Sequence, residues 1–401
     1  KHAFPDGGEL RARSYYLARD FSNRLPFTGG GIVTFDRAFA GGGISYTRGF
    51  TLGGMAHRVV AGFDHDRQRD DRQRFDNISG VRGDLALDQL ERVTSTGIFV
   101  QAEISVSDRL EVTFGLRYDD IEFDVADAFL GDGDDSGRRS IDDVSPSIGF
   151  LYDLDDRHAL YGSIATAFET PTTTEFANPD GSGGFNQDLE PQKSTSYELG
   201  LRGGLSERAR YELAVFRIDV DDELIPFEIA SSPDREFFAN AGKSERRGVE
   251  LSLTAEPLPG LNLALAYTWS QFEFDAFVDD NGNDFSGNTI PGIPETFAHA
   301  DISYVHKSGF FAGVDALYTD DLFADNANSA EVSGTTIANL RLGFRKTIGK
   351  LDVDPFIGVN NVFDTSYTAN VRINAFGGRY FEPGPVRNVY GGVSVRFRYE
   401  E

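Results

Sequence analysis

Residues 261–270 read Leu-Asn-Leu-Ala-Leu-Ala-Tyr-Thr-Trp-Ser. Every second side chain, from Leu261 to Trp269, is large and apolar, whereas those between them, from Asn262 to Ser270, are small or polar. Successive side chains of a β-strand point to opposite faces of its sheet. The stretch is therefore predicted to be a strand with one apolar and one polar face.

The same alternation recurs along the chain, and helical periodicity is almost absent. It is clearest at 110–119, 249–255 and 393–399. Apolar alternation of this kind predicts about 17 strands, with ends placed to within a few residues. They are 9–22, 30–38, 42–50, 56–67, 92–104, 109–123, 141–152, 157–168, 192–203, 208–221, 245–256, 261–274, 296–306, 309–320, 333–346, 350–364 and 387–399.

The joints between these strands distinguish a membrane barrel from a soluble sandwich. Short joints lie near 105–108, 153–156, 204–207, 257–260, 307–308 and 347–349. Long polar stretches lie near 68–91, 124–140, 169–191, 222–244, 275–295, 321–332 and 365–386. Alternating short turns and long loops are typical of outer-membrane barrels, and long loops are uncommon in compact soluble domains. The pattern predicts an all-β, antiparallel up-and-down transmembrane β-barrel.

Aromatic residues near predicted strand ends agree with this interpretation. Tyr118, Phe168, Tyr267 and Trp269 fit the belt of aromatic side chains that marks a membrane interface. The alternative is that they are ordinary aromatic pairs on a soluble sheet.

Composition excludes several other classes of protein. The 401 residues carry a formal net charge of −26, which disfavours nucleic acid as a partner because nothing would neutralise its phosphates. Cysteine is absent, which excludes a disulfide scaffold and a thiolate metal site. The sequence contains no run of 18 apolar residues, so no transmembrane helix is predicted. The first ten residues contain no signal peptide, so any export signal is expected to have been removed or to precede Lys1.

The number and direction of the strands suggest a larger barrel. If the last strand ends on the periplasmic side, the short joints fall there and the long ones outside, with a brief joint at 39–41 as the exception. The first strand would then run inward from an extracellular loop. Bacterial single-chain barrels have an even strand number, so we expect a C-terminal part of a barrel of 22 strands.

Several segments, in order along the chain, resemble the barrel of TonB-dependent outer-membrane receptors. The first is a Phe-x-x-Pro-Thr stretch beginning at Phe168 and containing Pro171, and the most specific is the end of the chain. The segments are 167–172 with Glu175, 189–191, 197–200, 240–242, 247–251, 360–364 with Tyr367, 378–385, 387–388 and 392–397. The motif residues that we single out are Phe168, Pro171, Asn361, Phe363, Asp364, Pro383 and Arg387.

Local chemistry explains why such residues recur. Asn361 and Asp364 can satisfy their own backbone in a tight exit turn, and Pro383 stiffens the returning loop. In the family, the last strand closes the barrel and its terminal aromatic resembles an assembly signal. Phe397 or Tyr399 would supply that aromatic here, although Glu400 and Glu401 follow it.

The resemblance implies a function and a set of partners. It implies uptake of a scarce ligand, most commonly a ferric siderophore, energised by the TonB-ExbB-ExbD system through a plug domain. The plug and the first strands are expected to lie outside residues 1–401, which form one barrel domain. Outer-membrane lipid and lipopolysaccharide are the expected surroundings. No enzymatic activity, cofactor or protein-bound metal is expected, because the siderophore supplies the iron ligands.

Two rival functions remain open. The first is a passive, porin-like or structural outer-membrane barrel, and the second is a soluble secreted β-protein that degrades polysaccharide. No G-x-S-x-G elbow, P-loop or H-E-x-x-H motif is present to support an enzyme. Haem is disfavoured as cargo, because related haem receptors have a ligating His in the segment that corresponds to 169–189, which has none here.

Candidate ligand-binding residues are arginines and aromatics in the predicted outer loops. An anionic ligand would need guanidinium groups, whose geometry matches a carboxylate. The candidates are Arg379, Tyr380, Phe381, Arg372, Arg67 and Arg69. The alternatives are that the arginines pair with neighbouring aspartates or with lipopolysaccharide phosphates, and that the aromatics stabilise their loop.

Two acidic loops are candidate calcium sites. Residues 279–284 and 132–137 cluster oxygen ligands, but each departs from the Asp-x-Asn-x-Asp-Gly register of a calcium loop. Solvated loops are the favoured interpretation of both.

Overall fold

The computed structural model describes residues 1–5, 7–24, 31–131, 133–178, 184–229, 232–240, 242–279 and 282–398. These residues form β-strands and one short 3-10 helix, Phe376–Gly378. Across the described ranges, no helix has the length and apolar character needed to cross a membrane.

The strands follow one another along the chain. The first twelve are β1 (His2–Ala3), β2 (Gly8–Asn23), β3 (Ile32–Leu52), β4 (Met55–Ile78), β5 (Val81–Ser107), β6 (Leu110–Asp127), β7 (Gly137–Asp153), β8 (His158–Glu169), β9 (Gln192–Ser206), β10 (Ala209–Asp221), β11 (Leu224–Ile229) and β12 (Ser232–Asn240). The next twelve are β13 (Lys243–Leu258), β14 (Leu261–Ala276), β15 (Thr296–Val305), β16 (Phe310–Thr319), β17 (Leu322–Phe323), β18 (Glu331–Val332), β19 (Thr335–Phe344), β20 (Lys346–Ile348), β21 (Leu351–Asn360), β22 (Thr368–Val371), β23 (Phe381–Pro383) and β24 (Asn388–Phe397).

One antiparallel sheet of eighteen strands contains all the long strands. Each long strand pairs with the next long strand along the chain, from the β2–β3 ladder to the β21–β24 ladder. Three small hairpins, β11–β12, β17–β18 and β22–β23, stand apart from this sheet. The predicted all-β, antiparallel up-and-down class is confirmed. Within the described ranges, no ladder joins β24 to β2.

The two ends of the sheet differ as predicted. At one end, here called the turn end, short joints connect the strands, as at 108–109, 154–157, 207–208, 259–260 and 306–309. At the other, here called the loop end, most joints are long, as at 170–191 and 277–295. The predicted positions of the short joints are confirmed.

The predicted joint at 39–41 is wrong, because β3 runs without a break through it. Gly41 and Gly43 belong to the ladder with β4, and a Cβ at either position would collide with Asp66 or Asp64. These glycines permit a close approach of polar side chains and do not mark a turn. The described sheet has sixteen strands of ten or more residues where the sequence predicted about 17.

The direction of the first long strand is therefore also corrected. With one joint fewer, β2 runs from the turn end to the loop end, opposite to the prediction.

The predicted loop at 68–91 is wrong as well. Those residues continue β4 and β5, which meet in a tight turn at Ser79–Gly80. Both faces of this hairpin are polar over much of its length, so the apolar alternation that identifies a strand is missing. Backbone ladder bonds to β3 and β6 hold it instead.

The two faces of the sheet have different chemistry. The face that we call outer carries exposed apolar side chains, and its uppermost apolar row, here called the apolar edge, consists of Ile44, Phe63, Ile98, Tyr118 and Val144. The opposite, inner row is Gly43, Asp64, Gly97, Asp119 and Asp143.

Buried side chains collect on the inner face near the loop end. One cluster joins Phe123, Val125 and Ile141 of the sheet to Phe176, Phe185 and Leu189 of the 170–191 loop. A second joins Phe274 to Ile225, Phe277 and Ile290. The loops thus fold over the inner face and bury their apolar side chains there.

Candidate functional site

Beyond the apolar edge, strands β2–β6 continue toward the loop end as a part that we call the extension. In β6 the outward Phe114 and Leu116 are each 48% exposed, whereas the inward Phe123 is 3% exposed. The outward positions of the same strand then become Asp120, Glu122 and Asp124. Apolar side chains therefore change from the outer to the inner face at the apolar edge.

The inner face of the extension contains a cleft of about 690 Å³. Its apolar wall is formed by Phe21, Phe35, Phe39, Val93, Ile121 and Phe123. Its polar side chains from the sheet are Asn23, Arg37, Asp66, Gln68, Asp70, Arg72, Glu91 and Ser95, and residues 170–174 border it. This volume lies in the range of small-molecule sites, and the lining combines apolar rings with many polar and charged side chains.

Charged groups in the cleft are paired. Arg37 binds Asp70 through two hydrogen bonds, of which Nε to Oδ1 is 2.8 Å, and Gln68 Nε2 donates to Oδ2 of the same carboxylate at 3.2 Å. Asp70 is 3% exposed. A buried carboxylate is stable only when such partners replace its water, so Arg37 and Gln68 hold Asp70 in place.

A second pair connects the sheet to the Phe-x-x-Pro-Thr loop. Arg72 Nη1 donates to Glu91 Oε1 at 3.4 Å, and Thr173 Oγ1 donates to Glu91 Oε2 at 2.7 Å. Arg72 Nε is buried and has no hydrogen-bond partner. The remaining carboxylate, Asp66, accepts from the hydroxyl of Tyr15. Every carboxylate of the cleft therefore has a donor.

An aromatic stack forms the side of the cleft near β2 and β3. The rings of Phe21 and Phe35 lie 4.7 Å apart and nearly parallel. The Arg19 guanidinium lies 5.0 Å from the first ring centre and 5.7 Å from the second, and that of Arg37 lies 5.0 Å from Phe35. Flat rings beside cations offer a surface on which a planar or aliphatic ligand can pack.

The Phe-x-x-Pro-Thr motif has a structural role here. Pro171 is fully buried, and Phe168 packs against the first apolar cluster. Within that cluster, Phe176 stacks on Phe185 with ring centres 4.9 Å apart. The backbone N–H of Thr172 also donates to Glu175 at 2.8 Å. These contacts fix the loop that borders the cleft.

The motif near the end of the chain forms a clamp. Asn361 has a left-handed φ of 51°, and its side chain accepts from Thr365 N at 2.9 Å and donates to Thr365 O at 2.8 Å. The backbone N–H of Arg387 donates to Asp364 at 2.9 Å. The prediction that the side chain satisfies the backbone of the exit turn is confirmed for Asn361, whereas the Asp364 side chain binds the returning segment at Arg387. Phe363 is 72% exposed, and Pro383 lies exposed in β23.

Four of the predicted ligand-binding residues lie together in the last loop. Arg372 N donates to Tyr380 O at 2.9 Å, and the rings of Tyr380 and Phe381 lie 5.7 Å apart. Burial and the nearby Asp325 raise the pKa of Tyr380. Phe381 and Arg379 are exposed. A role for these four in ligand binding stays a prediction.

The two other predicted residues lie elsewhere. Arg67 and Arg69 occupy odd positions of β4 and share the outer face with Phe63, whereas Arg72 is on the inner face. The structure thus separates both from the cleft by the thickness of the sheet. Arg67 and Arg69 were predicted to lie in an outer loop, although a period of two over 64–74 puts both on the face opposite Arg72.

Asparagine side chains join the loops at the other side of the loop end. Asn288 Nδ2 donates to Asn326 O at 2.8 Å, Thr289 N donates to Asn328 Oδ1 at 2.8 Å, and Asn326 N donates to Asn374 Oδ1 at 2.9 Å. Three loops that are distant in sequence are therefore held together.

The acidic loops use their carboxylates for turns. Hydrogen bonds from Ser136 and from Ser286 hold the pKa of Asp134 and of Asp284, respectively, below the usual range. Residues 132 and 280–281 of these loops lie outside the described residues, as does Tyr399 of the predicted assembly signal. Phe397 is on the outer face opposite Leu351. Among the residues described, no three His, Cys, Asp or Glu side chains are grouped to hold a metal ion.

The amino-acid sequence of the chain is similar to that of known proteins. The family described as TonB dependent receptor-like, beta-barrel matches residues 1–362. The ferrioxamine B receptor of Salmonella typhimurium strain LT2 is 25% identical over 99% of this chain and 57% of its own length. The ferrichrome outer membrane transporter/phage receptor of Escherichia coli K12 is 25% identical over 77% of this chain and 39% of its own. The chain thus spans little more than half of the first relative.

Solved structures have the same fold. The unliganded ferric citrate transporter FecA matches 98% of this chain and 60% of its own with a TM-score of 0.79 and 19% identity. The siderophore receptor PiuA from Acinetobacter baumannii matches 98% of this chain and 62% of its own with a TM-score of 0.78 and 18% identity. At these identities the match is one of fold alone.

Proposed function

Since the chain belongs to the TonB-dependent receptor-like β-barrel family, we propose that it forms the wall of a receptor that takes up a ferric siderophore or a similar iron chelate. It is an outer-membrane protein. The family is one of receptors, which removes the support for a soluble polysaccharide-degrading enzyme.

The cleft on the inner face is the observation that carries the proposal for this chain. It lies beyond the apolar edge, where a ligand arriving from outside would meet the receptor. Its volume of about 690 Å³ lies within the range of small-molecule sites. Aromatic rings and paired charges would hold a chelate without contributing ligands to its iron.

The charge of the cleft favours one class of chelate. Arg37 and Arg72 are paired with Asp70 and Glu91, and Asp66 adds a further carboxylate. Because the carboxylates of the lining outnumber its guanidinium groups, the cleft has no excess positive charge for a polyanionic chelate, whereas a neutral or cationic one needs none. We therefore propose a hydroxamate-type chelate such as ferrioxamine B, the ligand named for a relative, ahead of the small anionic ligand that the sequence left open.

The proposed energy source is the TonB-ExbB-ExbD system, acting through the plug domain that the family resemblance implies. The inner face at the turn end would then surround the plug. The passive, porin-like barrel remains the second candidate, because the long loops and the exposed apolar side chains of the outer face suit both.

Uptake of radioactive iron tests the proposal. Cells that lack the receptor would be given back the complete native protein and supplied with iron-labelled ferrioxamine B or ferric citrate. We expect accumulation of the first, and we expect a protonophore to abolish it. Uptake that survives the protonophore would identify a passive channel, and uptake of ferric citrate alone would contradict the proposed ligand class.

A pair of variants tests the cleft itself. Arg37→Gln should lower ferrioxamine uptake at limiting ligand about tenfold, because Asp70 then loses its bidentate partner and the ring of Phe35 loses its cation. Arg345→Gln is the control, because Arg345 is an exposed arginine at the turn end, 3.7 Å from Asp354. Equal uptake by both variants would exclude the cleft as the binding site.

A further inference from the structure

A second, smaller cavity lies beside the cleft. It has a volume of about 150 Å³ and shares Arg72, Thr173 and Thr174 with the cleft, so the two spaces adjoin at these side chains. The β4–β5 hairpin forms one side of it, and the loop that follows β8 forms the other. Val125 and Phe185 belong to its apolar wall. We call this space the side cavity.

Two hydrogen-bonding groups at the side cavity lack partners. Arg72 Nε is buried without one. Gln89 is the register partner of Arg72 and is half-buried on the same inner face, and within the described ranges its side-chain amide forms no hydrogen bond. Register partners of an antiparallel ladder have Cβ atoms about 4.5–5.5 Å apart, so both groups can bind one ligand group together. A buried donor without a partner costs free energy, and an incoming acceptor would recover it.

The charged groups around the side cavity already have partners. Arg72 binds Glu91 through Nη1 at 3.4 Å, and Asp127 accepts from two backbone N–H groups at 2.9 and 3.1 Å. Arg74 and Asp135, which line the cavity, also have partners. An ammonium group entering here would meet guanidinium groups and could accept nothing from Arg72 Nε, whereas a carboxylate would compete with Glu91 for Arg72. Burial of either charge without its own counter-ion is costly, so the side cavity suits an uncharged group.

A secondary amide matches the two groups that lack partners. Its carbonyl oxygen can accept from Arg72 Nε, and its N–H can donate to the side-chain carbonyl of Gln89. A small alkyl group on the carbonyl would pack on Val125 and Phe185. A cavity of about 150 Å³ holds an apolar molecule of the size of benzene, so an acetamide group fits.

We propose that the side cavity binds an uncharged amide at the free end of a linear chelate, while the iron centre of that chelate lies in the cleft. The inference rests on the proposed function and narrows its substrate class. Among trihydroxamate chelates, the side cavity selects a linear one whose end amine is acylated. A cyclic chelate has no free end to insert, and a linear chelate with a free end amine carries an ammonium group at neutral pH.

Equilibrium binding of iron-labelled chelates to the complete native receptor in detergent tests the proposal. The four ligands are ferrioxamine B, whose linear chain ends in an ammonium group, the same chain ending in an acetamide or in a carboxylate, and a cyclic trihydroxamate. We expect the acetamide form to bind about tenfold more tightly than each of the other three, a ratio that one or two hydrogen bonds provide.

A matched pair of variants makes the test specific. Gln89→Leu removes the side-chain amide and should reduce the ratio between the acetamide and ammonium forms to about threefold or less. Gln73→Leu is the control, because Gln73 lies on the outer face of the same hairpin, and it should leave the ratio unchanged. Gln89→Glu adds a negative charge and should favour the ammonium form over the acetamide form, a reversal that misfolding cannot produce. Thermal unfolding monitored by circular dichroism would establish that all three variants are folded.

Four results would overturn this inference and leave the proposed function intact. They are equal binding of the four chelates, tightest binding of the carboxylate form, the same ratio in Gln89→Leu as in Gln73→Leu, and an acetamide preference that survives in Gln89→Glu. If the wild-type receptor bound none of the four chelates, the proposed hydroxamate class itself would be wrong, and the inference would fail with it.

Discussion

The ladder of hydrogen bonds is the same in the lower and upper parts of β6, but apolar side chains lie on the outer face in the lower part and on the inner face in the upper part. Below the apolar edge, Phe114 and Leu116 point outward and Arg117 points inward, where it binds Asp119 at 2.6 Å. Above it, Glu122 points outward, whereas Phe123 and Val125 point inward and are buried. The hydrogen bonds of the ladder do not change at the boundary.

This difference shows that the surroundings decide which face is apolar. Lipid lies outside the lower part, so apolar side chains face outward there. Water lies outside the upper part, and the loops that cover its inner face supply an apolar core. A change in the phase of the alternation along one strand therefore marks the edge of the bilayer.

The largest effect is expected in the core of the upper part. Phe176→Ala removes a fully buried ring from the first apolar cluster and should cost about 3–5 kcal/mol. Urea unfolding in lipid vesicles would measure the change in the free energy of unfolding. Phe363→Ala is the control, because Phe363 is 72% exposed, and a similar cost for both would mean that the loops have no packed core.

The next effect belongs to the outer face of the lower part. Leu263→Arg places a charge in lipid at mid-strand, opposite Ile302, and should cost about 2–4 kcal/mol. Asn262→Arg, on the inner face, should be far milder in the same unfolding experiment.

A third position extends this comparison to the upper part. Thr94→Arg is on the outer face, two rows above the apolar edge, and should change stability by no more than about 0.5 kcal/mol. If Thr94→Arg were as costly as Leu263→Arg, the bilayer edge would lie higher than the apolar edge.

An effect between those of Leu263→Arg and Thr94→Arg is expected at the Asn361 clamp. Asn361→Ala loses both hydrogen bonds to Thr365 and strains a left-handed backbone, which should cost about 1–3 kcal/mol. Asn361→Gly keeps the backbone conformation free of strain, so it should cost less. Limited proteolysis of the 365–386 loop would rank the variants, and the opposite ranking would exclude backbone strain as a cause.

The smallest effect is a pH dependence at the turn end. Hydrogen bonds from the backbone N–H groups of Arg157 and His158 hold the pKa of Asp155 below its ordinary value. A lowered pKa means that the folded state favours the carboxylate, so its contribution is complete above the ordinary value and is lost as pH falls through the folded one. The difference in Tm between wild type and Asp155→Ala should therefore shrink below about pH 4. A constant difference at all pH values would contradict this origin.

The long alternating segments could be read from sequence because one face of each meets lipid. The residues at 261–270 show this most clearly, and β14 covers them as predicted. The extension could not be read in this way, because residues 64–74 are polar on both faces and only their ladder bonds make them a strand. Gly41 and Gly43 were misleading for a related reason, since the side chains that require them come from β4, distant in sequence.

Only part of the candidate site could be predicted from the sequence. The Phe-x-x-Pro-Thr loop was identified, and it does border the cleft through residues such as Thr173. The cleft itself combines Arg37, Asp70 and Glu91 from three strands, and no local pattern connects them. These side chains come together only in the observed strand register, because a one-residue shift would turn the side chains of the shifted strand to the opposite face of the sheet.

The fold class of this protein follows from local features of the chain, because contact with lipid or water on one face imposes period-two alternation, turn spacing and motif order on each segment. Only the tertiary structure shows where that alternation inverts, and which arginines face the cleft or the opposite side of the sheet. Those outcomes depend on register and on loops folding back over the sheet, and both are set by contacts between residues far apart in the chain.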